Sequence, residues 1–379
     1  MTEKVPLRLL ELYSGIGGMQ FAMKGADVPY CLVAAMELND VANKVYKHNF
    51  PGDNLMQKNI EGLSVKEMEI LNADIILMSP PCQPFTRIGN QKASEDPRTK
   101  SFLNILRIIK SMANPPKYIL LENVKGFETS ETREQLLSVL ISVGYNYQEF
   151  LISPLQFGVP NSRLRYYLLA KLKPLNFQFP TSSEPIDHIP YVSPEKQSAD
   201  HCDDVIVARD SIPYSCCRCG RPCLKVNGLI DPCPLSEYLE ATADDEEFYL
   251  SGDILGRLGT VLDIVTPSSK RSCCFTKAYG TYVKGTGSVI TTMKSESEIQ
   301  ETFESLKDTV DERLRSEQLL NLKLRYFSPQ EVANLMCFPR YFSFPAATTT
   351  KQKFKLLGNS INVFVVSQLL KNSLLTDCR

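Results

Sequence analysis

Residues 7–26 read LRLLELYSGIGGMQFAMKGA. The apolar run LRLLEL (7–12) predicts a short buried strand. Ser14, Gly15, Ile16, Gly17 and Gly18 predict a tight turn after it, and MQFAMKGA continues with helical spacing. Strand, glycine turn and helix in this order open a doubly wound sheet. Glycines in such a turn let the backbone pass close to a ligand, and the helix N-terminus supplies free N–H donors. The spacing is neither GxxxxGK followed by Ser or Thr nor a full GxGxxG, which disfavours a nucleoside triphosphate.

Moving outward, the same alternation repeats. CLVAAMEL (31–38), ADIILMS (73–79), PPKYILLENV (115–124) and RYYLLAKL (165–172) read as strands. DVANKVYKHNF, SFLNILRIIKSM (101–112) and REQLLSVLISVGY (133–145) read as helices. Strands separated by helices imply a parallel sheet with crossovers. Residues 1–172 are therefore expected to form an α/β domain with a doubly wound, mostly parallel sheet.

The texture then changes. Residues 181–250 are rich in Pro, Ser, Asp and Glu and weakly periodic, which predicts a poorly ordered surface insertion. Residues 272–293 are rich in β-branched and aromatic residues with Gly turns and predict a small β-rich unit within a second domain, 173–320. Helical pattern returns after residue 296. Ser328, Pro329 and Glu331 form an N-cap, a first-position proline and a capping-box acid. Residues 321–379 are expected to be C-terminal helices returning to the first domain.

Bulk composition bounds the function. The chain has 379 residues, 43% hydrophobic and 22% charged, with a formal net charge of −1. A sizeable core is available. A nucleic-acid partner would have to be met by a local basic face. MTEKVPLRLLELYSG lacks a signal-peptide run, and no stretch has the length of a membrane span. The expectation is a soluble, monomeric, cytoplasmic protein without membrane contact, with the nucleus as a second location. Twelve cysteines are then expected to be reduced. Cys216, Cys217, Cys219 and Cys223 could offer thiolates to zinc, but their spacing fits no paired CxxC set, so no metal is expected.

Glu37 follows Gly17 by twenty residues, at the end of the second strand. A carboxylate there can accept hydrogen bonds from both ribose hydroxyls. The combination suits an adenosine-bearing cofactor without a pyrophosphate, and S-adenosylmethionine fits. An ordinary turn beside a solvated Glu is the alternative. Cys82 follows Pro80-Pro81 at the end of ADIILMS. Proline cannot continue the ladder, so the thiol is expected on a stiff turn by the crevice at the strand ends. As a thiolate it would be a strong nucleophile, whereas a small buried hydrophobe is the commoner fate of such a cysteine. Glu122 ends YILLEN and could act as an acid in that crevice. Arg163 and Arg165 flank Leu164 and are expected to point the same way by strand alternation. They could bind a base carbonyl, a phosphate or Glu122, or be a solvated strand entrance.

Nucleophile, acid, methyl-donor site and basic residues are the set that methylation of cytosine C5 requires. The motifs YSGIGG, MSPPCQPF, LLENVKG, NSRLRYY and LLGNSIN, in that order, resemble those of the cytosine-C5 methyltransferases. PPCQPFTRIG, ILLENVKGFE, NSRLRYYLLAKL, CFTKAYGTYVKGTGSV and LKLRYFSPQEVANLMCFP resemble the small eukaryotic branch that methylates cytosine 38 in the anticodon loop of tRNA-Asp. The resemblance implies a Rossmann-like S-adenosylmethionine-dependent methyltransferase with a smaller target-recognition domain. It makes Cys82 the nucleophile, Glu122 the N3 partner, and Arg163 and Arg165 supports of the flipped base. It assigns Ile16, Gly17, Gly18, Glu37, Ile60, Glu61, Ser79, Asn359 and Ser360 to the cofactor. Cys274, Phe275 and Thr276 become part of the recognition unit.

A flipped base needs a deep crevice and a moving loop, expected at about residues 83–100. Lys92, Arg98 and Lys100 on that loop, with Lys125, Lys277 and Lys284, could form the local basic face, although each alone reads equally as a solvated charge. The expected partner is the tRNA anticodon stem-loop, with weak or no DNA binding. The alternatives are a DNA cytosine-C5 methyltransferase, or an RNA-binding protein that has lost catalysis. Intact Cys82, Glu122, Arg163 and Arg165 argue against the latter.

Overall fold

Seven strands form one sheet: β1 (Leu7–Leu12), β2 (Tyr30–Glu37), β3 (Leu55–Gln57), β4 (Ile75–Met78), β5 (Tyr118–Val124), β6 (Tyr145–Ile152) and β7 (Arg165–Leu172). Their order is β3-β2-β1-β4-β5-β7-β6. All neighbours run parallel except β7, which is antiparallel to both β5 and β6. The computed structural model describes residues 5–81, 99–190, 218, 220, 225–226, 229–241, 246–307 and 309–378. Cys82, Lys92, Arg98 and the four candidate zinc cysteines lie outside them.

Helices cover both faces. α3 (Val65–Leu71), α4 (Lys100–Ser111) and α5 (Glu131–Val143) share one core with the sheet, in which Leu10, Leu12, Ile76, Met78, Ile119 and Leu121 meet Ile105, Ile109, Leu136 and Leu140. α1 (Gly18–Lys24) packs against the C-terminal helix Val363–Leu369. α2 (Asp40–Asn49) sends Tyr46 to the opposite-facing Glu11 of β1. The ends follow local chemistry: Asn39 caps α2, Ser64 and Glu67 make a capping box on α3, and Gly144 ends α5 with φ 99°.

The chain divides into two compact units. The first comprises Met1–Ile152, Leu164–Ile212 and Val363–Arg379; the second comprises Ser153–Arg163 and Pro213–Asn362. The expected boundaries at 172 and 321 therefore shift. Residues 321–362 stay with the second unit because Arg325–Tyr326 pairs with Val289–Ile290 in its sheet. The return to the first unit begins only at Val363.

The second unit is less strand-rich than expected. Its strands are β8 (Lys225–Val226), β9 (Leu229–Ile230), β10 (Ile264–Val265), β11 (Val289–Ile290) and β12 (Arg325–Tyr326). Its helices are α6 (Gly252–Leu258), α7 (Glu296–Ser305), α8 (Glu312–Leu320), α9 (Pro329–Leu335) and α10 (Thr350–Gly358). Within 272–293 only β11 forms a ladder, because the intervening segment turns repeatedly at positive φ. Part of the expected insertion is packed: Leu235 and Tyr238 are fully buried, as are Phe248 and Leu250 nearly so. The backbone carbonyl of Tyr238 accepts from Asn334, and the Glu240 carboxylate accepts from the Ser328 hydroxyl. A few widely spaced apolar anchors hold this stretch, so it shows no period.

Candidate active site

Register sets a row of residues at the C-terminal ends of four adjacent parallel strands. Leu12 is level with Met36 and Met78, and Met78 is level with Leu121. One residue further on, Tyr13, Glu37, Ser79 and Glu122 therefore stand side by side: Tyr13 and Ser79 directly follow β1 and β4, Glu37 closes β2, and Glu122 lies two residues before the end of β5. The chain leaves β1 for β2 on one side and returns to β4 on the other, so the row crosses the point where strand order reverses. That is where open α/β sheets bind ligands. Cys82 comes three residues after Ser79 in sequence.

The glycine loop fits a ligand cradle. Tyr13, Gly15 and Gly17 all have positive φ, at 56°, 52° and 86°. A Cβ on Gly17 would lie 2.5 Å from the Phe50 ring, so this position admits glycine on both counts. The Gly15 amide donates to Glu37 Oε2 at 3.0 Å, while the amides of Leu38 and Asn39 donate to Oε1 at 2.8 Å. The carboxylate thus ties the loop to the end of β2. With one amide on Oε2, acceptor capacity remains there for a hydroxyl. The Ser14 hydroxyl is buried, with no hydrogen-bond partner among the described residues. A buried unpaired hydroxyl beside positive-φ glycines and a strand-end carboxylate is a donor set suited to an adenosine-bearing ligand.

Neighbouring predicted residues fall close by in the same unit. Ser79 Oγ lies 3.5 Å from the Tyr13 carbonyl. Ile60 is buried and Glu61 exposed in a single turn that Asn59 caps. Asn104 of α4 fastens that turn through the carbonyls of Ile60 and Leu63, at 3.1 and 2.9 Å.

Glu122 is 8% exposed and pairs with Arg165 Nε at 3.5 Å. The two arginines fall in different units. β7 begins at Arg165, so strand alternation does not reach Arg163. Arg163 belongs to the second unit and is buried there. Its guanidinium donates to the carbonyls of Phe275 (3.0 Å), Gly358 (3.2 Å) and Ser360, and lies 3.4 Å from Cys274 Sγ. It clamps three chain segments together. Phe275 is 1% exposed, with its ring against Tyr279 and Phe327, so it is a core residue rather than a surface contact. The Thr276 amide donates to the Thr286 carbonyl at 2.8 Å. Asn359 caps α10, and Asn359 and Ser360 both lie in the second unit. Lys100 stands exposed at the start of α4, and Lys125, Lys277 and Lys284 are exposed as well.

Tyr13 of the row and Asn123, next to it, escape motif reading. Tyr13 has a non-glycine positive φ, and its hydroxyl donates to Ser101 at 3.1 Å. Asn123, 2% exposed beside Glu122, accepts from the Val124 amide, while its Nδ2 has no partner among the described residues. The only sequence signal for either is its place next to a predicted strand end.

Comparison with known proteins agrees with this geometry. The family described as C-5 cytosine-specific DNA methylase matches residues 7–374. A tRNA (cytosine(38)-C(5))-methyltransferase of Bos taurus is 45% identical over 97% of this chain and 98% of its own. A Dictyostelium discoideum DNA (cytosine-5)-methyltransferase is 39% identical over 96% of this chain and 93% of its own. The crystal structure of a mutant of Spodoptera frugiperda DNMT2 superposes with a TM-score of 0.79 at 40% identity, covering 96% of this chain and 98% of that one. Strand order, glycine loop and a match spanning nearly every residue lead to one assignment: the chain belongs to the C-5 cytosine methyltransferase family.

Proposed function

We propose that this methyltransferase acts on cytosine 38 in the anticodon loop of tRNA-Asp, with S-adenosylmethionine as the methyl donor. The observation that carries the chemistry is the row in which the glycine loop, Glu37, Ser79 and Glu122 stand side by side, with Cys82 three residues after Ser79 in sequence. The choice of tRNA is supported by the full-length relatives named for that activity.

Ser14, Gly15, Ile16, Gly17 and Gly18 would cradle the cofactor, Glu37 its ribose, and Ile60, Glu61 and Ser79 the rest of it. When bound, S-adenosylmethionine supplies an electrophilic methyl group on a sulfonium. Ring carbon C5 is too poor a nucleophile to accept it unaided. The Cys82 thiolate adds to C6 while Glu122 protonates N3, which turns C5 into an enamine carbon. After methylation, loss of the C5 proton, return of the N3 proton to the Glu122 carboxylate and expulsion of the thiolate restore the ring. Arg165, paired with Glu122, holds that carboxyl group in place near the C-terminal end of β5.

The test is transfer of labelled methyl to tRNA-Asp transcript and to cytosine-containing duplex DNA, offered side by side. Label in tRNA at position 38 is expected. Label mainly in DNA would favour the second reading, to which the Dictyostelium relative points. Cys82→Ala is expected to abolish transfer while cofactor affinity stays within a few-fold, and transfer by that variant would remove Cys82 as the nucleophile.

A further inference from the structure

The turn 276–285 carries two tyrosines in opposite settings. Tyr279 is 2% exposed, its hydroxyl donates to the Ser288 carbonyl at 2.7 Å and accepts from the Phe327 amide at 2.9 Å. Its ring meets Phe275, Tyr326 and Phe354 edge-on. Tyr282 is 68% exposed. Its backbone is nonetheless fixed. The Tyr282 amide donates to the Ala278 carbonyl at 2.9 Å, its carbonyl accepts from the Thr286 hydroxyl, and the next residue, Val283, is buried. An aromatic ring therefore projects into water from a turn that is anchored on both sides.

α10 lies against the same turn. Phe354 packs on Tyr279 with ring centroids 5.1 Å apart, and a Cβ on Gly280 would be 2.8 Å from the Phe354 ring. At the helix end, Gly358 meets the backbone of Thr276 and Lys277.

Charge is segregated onto these two segments. The chain has 42 basic and 43 acidic residues. Residues 264–295 nevertheless contain Lys270, Arg271, Lys277, Lys284 and Lys294 and no acid, and residues 332–362 contain Arg340, Lys351, Lys353 and Lys355 and no acid. Lys270, Arg271 and Lys294 are paired with Asp231, Asp263 and Glu298. Lys277, Lys284, Lys351 and Lys355 are exposed and form no ion pair among the described residues.

We infer that Tyr282 is a stacking platform for an unpaired base of the RNA substrate, with Lys277, Lys284, Lys351 and Lys355 on the phosphates around it. The inference rests on the tRNA reading above and adds a positioning residue to it. Single-stranded RNA is recognised by stacking splayed bases on exposed aromatic rings, while cations track the backbone. An exposed ring on an anchored turn that carries two unpaired lysines, against a helix that carries two more, meets both needs. The A-form duplex offers shape and phosphates but no free base face for such a ring.

The experiment measures binding of the tRNA-Asp anticodon stem-loop, and of a fully paired RNA of equal length, to the full chain and its Tyr282→Ala and Tyr282→Phe variants. Loss of one stacked base predicts that Tyr282→Ala binds the stem-loop roughly 5- to 150-fold more weakly. KM for tRNA rises while kcat holds, Tyr282→Phe restores binding, and paired RNA is bound equally by all three. Lys277→Ala with Lys284→Ala instead lowers the salt dependence, by about 0.7 per lysine in the logarithmic slope. Cofactor affinity and thermal melting stay unchanged in every variant, which excludes a folding defect. Undiminished binding by Tyr282→Ala, a Phe variant as weak as the Ala variant, or equal losses on paired RNA would each overturn the platform. If the unmodified chain binds no stem-loop and methylates DNA, the tRNA reading itself falls and takes this inference with it. If it binds and only the variant result fails, Tyr282 alone is removed.

Discussion

Glu11 is fully buried on β1, its carboxylate receiving the Tyr46 hydroxyl at 3.0 Å. Burial pushes its carboxyl up to about 8, against the lowering effect of Tyr46 and of the Gln20 and Met19 amides. The raised value means that the folded protein holds a proton here which the unfolded chain releases near pH 4.5. This stabilisation is complete below the unfolded value and is lost as pH rises through about 8. Glu11→Gln is therefore expected to flatten the decline in stability between about pH 5 and 8, as read from urea midpoints across that range. An unchanged slope would assign the pH dependence to other groups. Glu122→Gln cannot deliver a proton to N3, and it is expected to slow methyl transfer by at least about a hundredfold with tRNA binding retained. At this scale the sequence is readable where a residue lies at or near the end of a strand, as with Glu37 and Glu122. It misleads at Arg163, because the two-residue spacing from Arg165 suggests a shared face and the strand starts only at the second arginine.

Among the elements, α10 shows how close packing restricts a sequence. A Cβ on Gly358 would lie 2.2 Å from the Lys277 amide nitrogen and from the Thr276 carbonyl carbon, both backbone atoms. Neither can move aside as a flexible side chain would. Gly358→Ala is expected to destabilise the protein by about 1–3 kcal/mol, the usual range for overpacking, measured by denaturant unfolding. The cap of α9 is a smaller matter. Ser328 accepts from the Glu331 amide at 3.1 Å, and Ser328→Ala is expected to lose about 1 kcal/mol. That cap is legible from four consecutive letters because capping is local. β3 is only three residues long, and β6, YNYQEFLI, mixes polar and apolar residues within a two-faced strand. Its glutamate is hidden by Arg133, which grips Glu149 at 2.8 and 2.6 Å, so burial of a charge conceals the strand's inner face. The partner lies on α5, and no local pattern announces it.

For the whole molecule, a net charge of −1 says little about affinity for an anion. The four unpaired lysines on the turn of Tyr282 and on α10 lead to an expected slope of about −3 for the logarithm of stem-loop affinity against that of salt concentration. A slope near zero would mean that these charges do not meet phosphate. The α/β architecture follows from alternation of apolar strands and helices, which each segment declares for itself. The division into units was not legible, since it depends on long-range contacts. Nothing in residues 153–163 announces that a loop between two paired strands belongs with a segment two hundred residues away.

The discontinuity of the first unit bears on how the protein is made. Its closing segment, Val363–Leu369, packs on α1 and is followed by Asp377, which binds the buried Lys171 ammonium at 2.7 Å and the Tyr118 hydroxyl at 2.7 Å. During synthesis those residues emerge only after Pro213–Asn362 has been translated. At roughly 5–20 residues per second, that leaves α1, Lys171 and Tyr118 waiting on the ribosome for these partners for about 8–30 s. The nascent amino-terminal half must therefore live with an uncovered apolar flank, and it is in this interval that a chaperone has most to do.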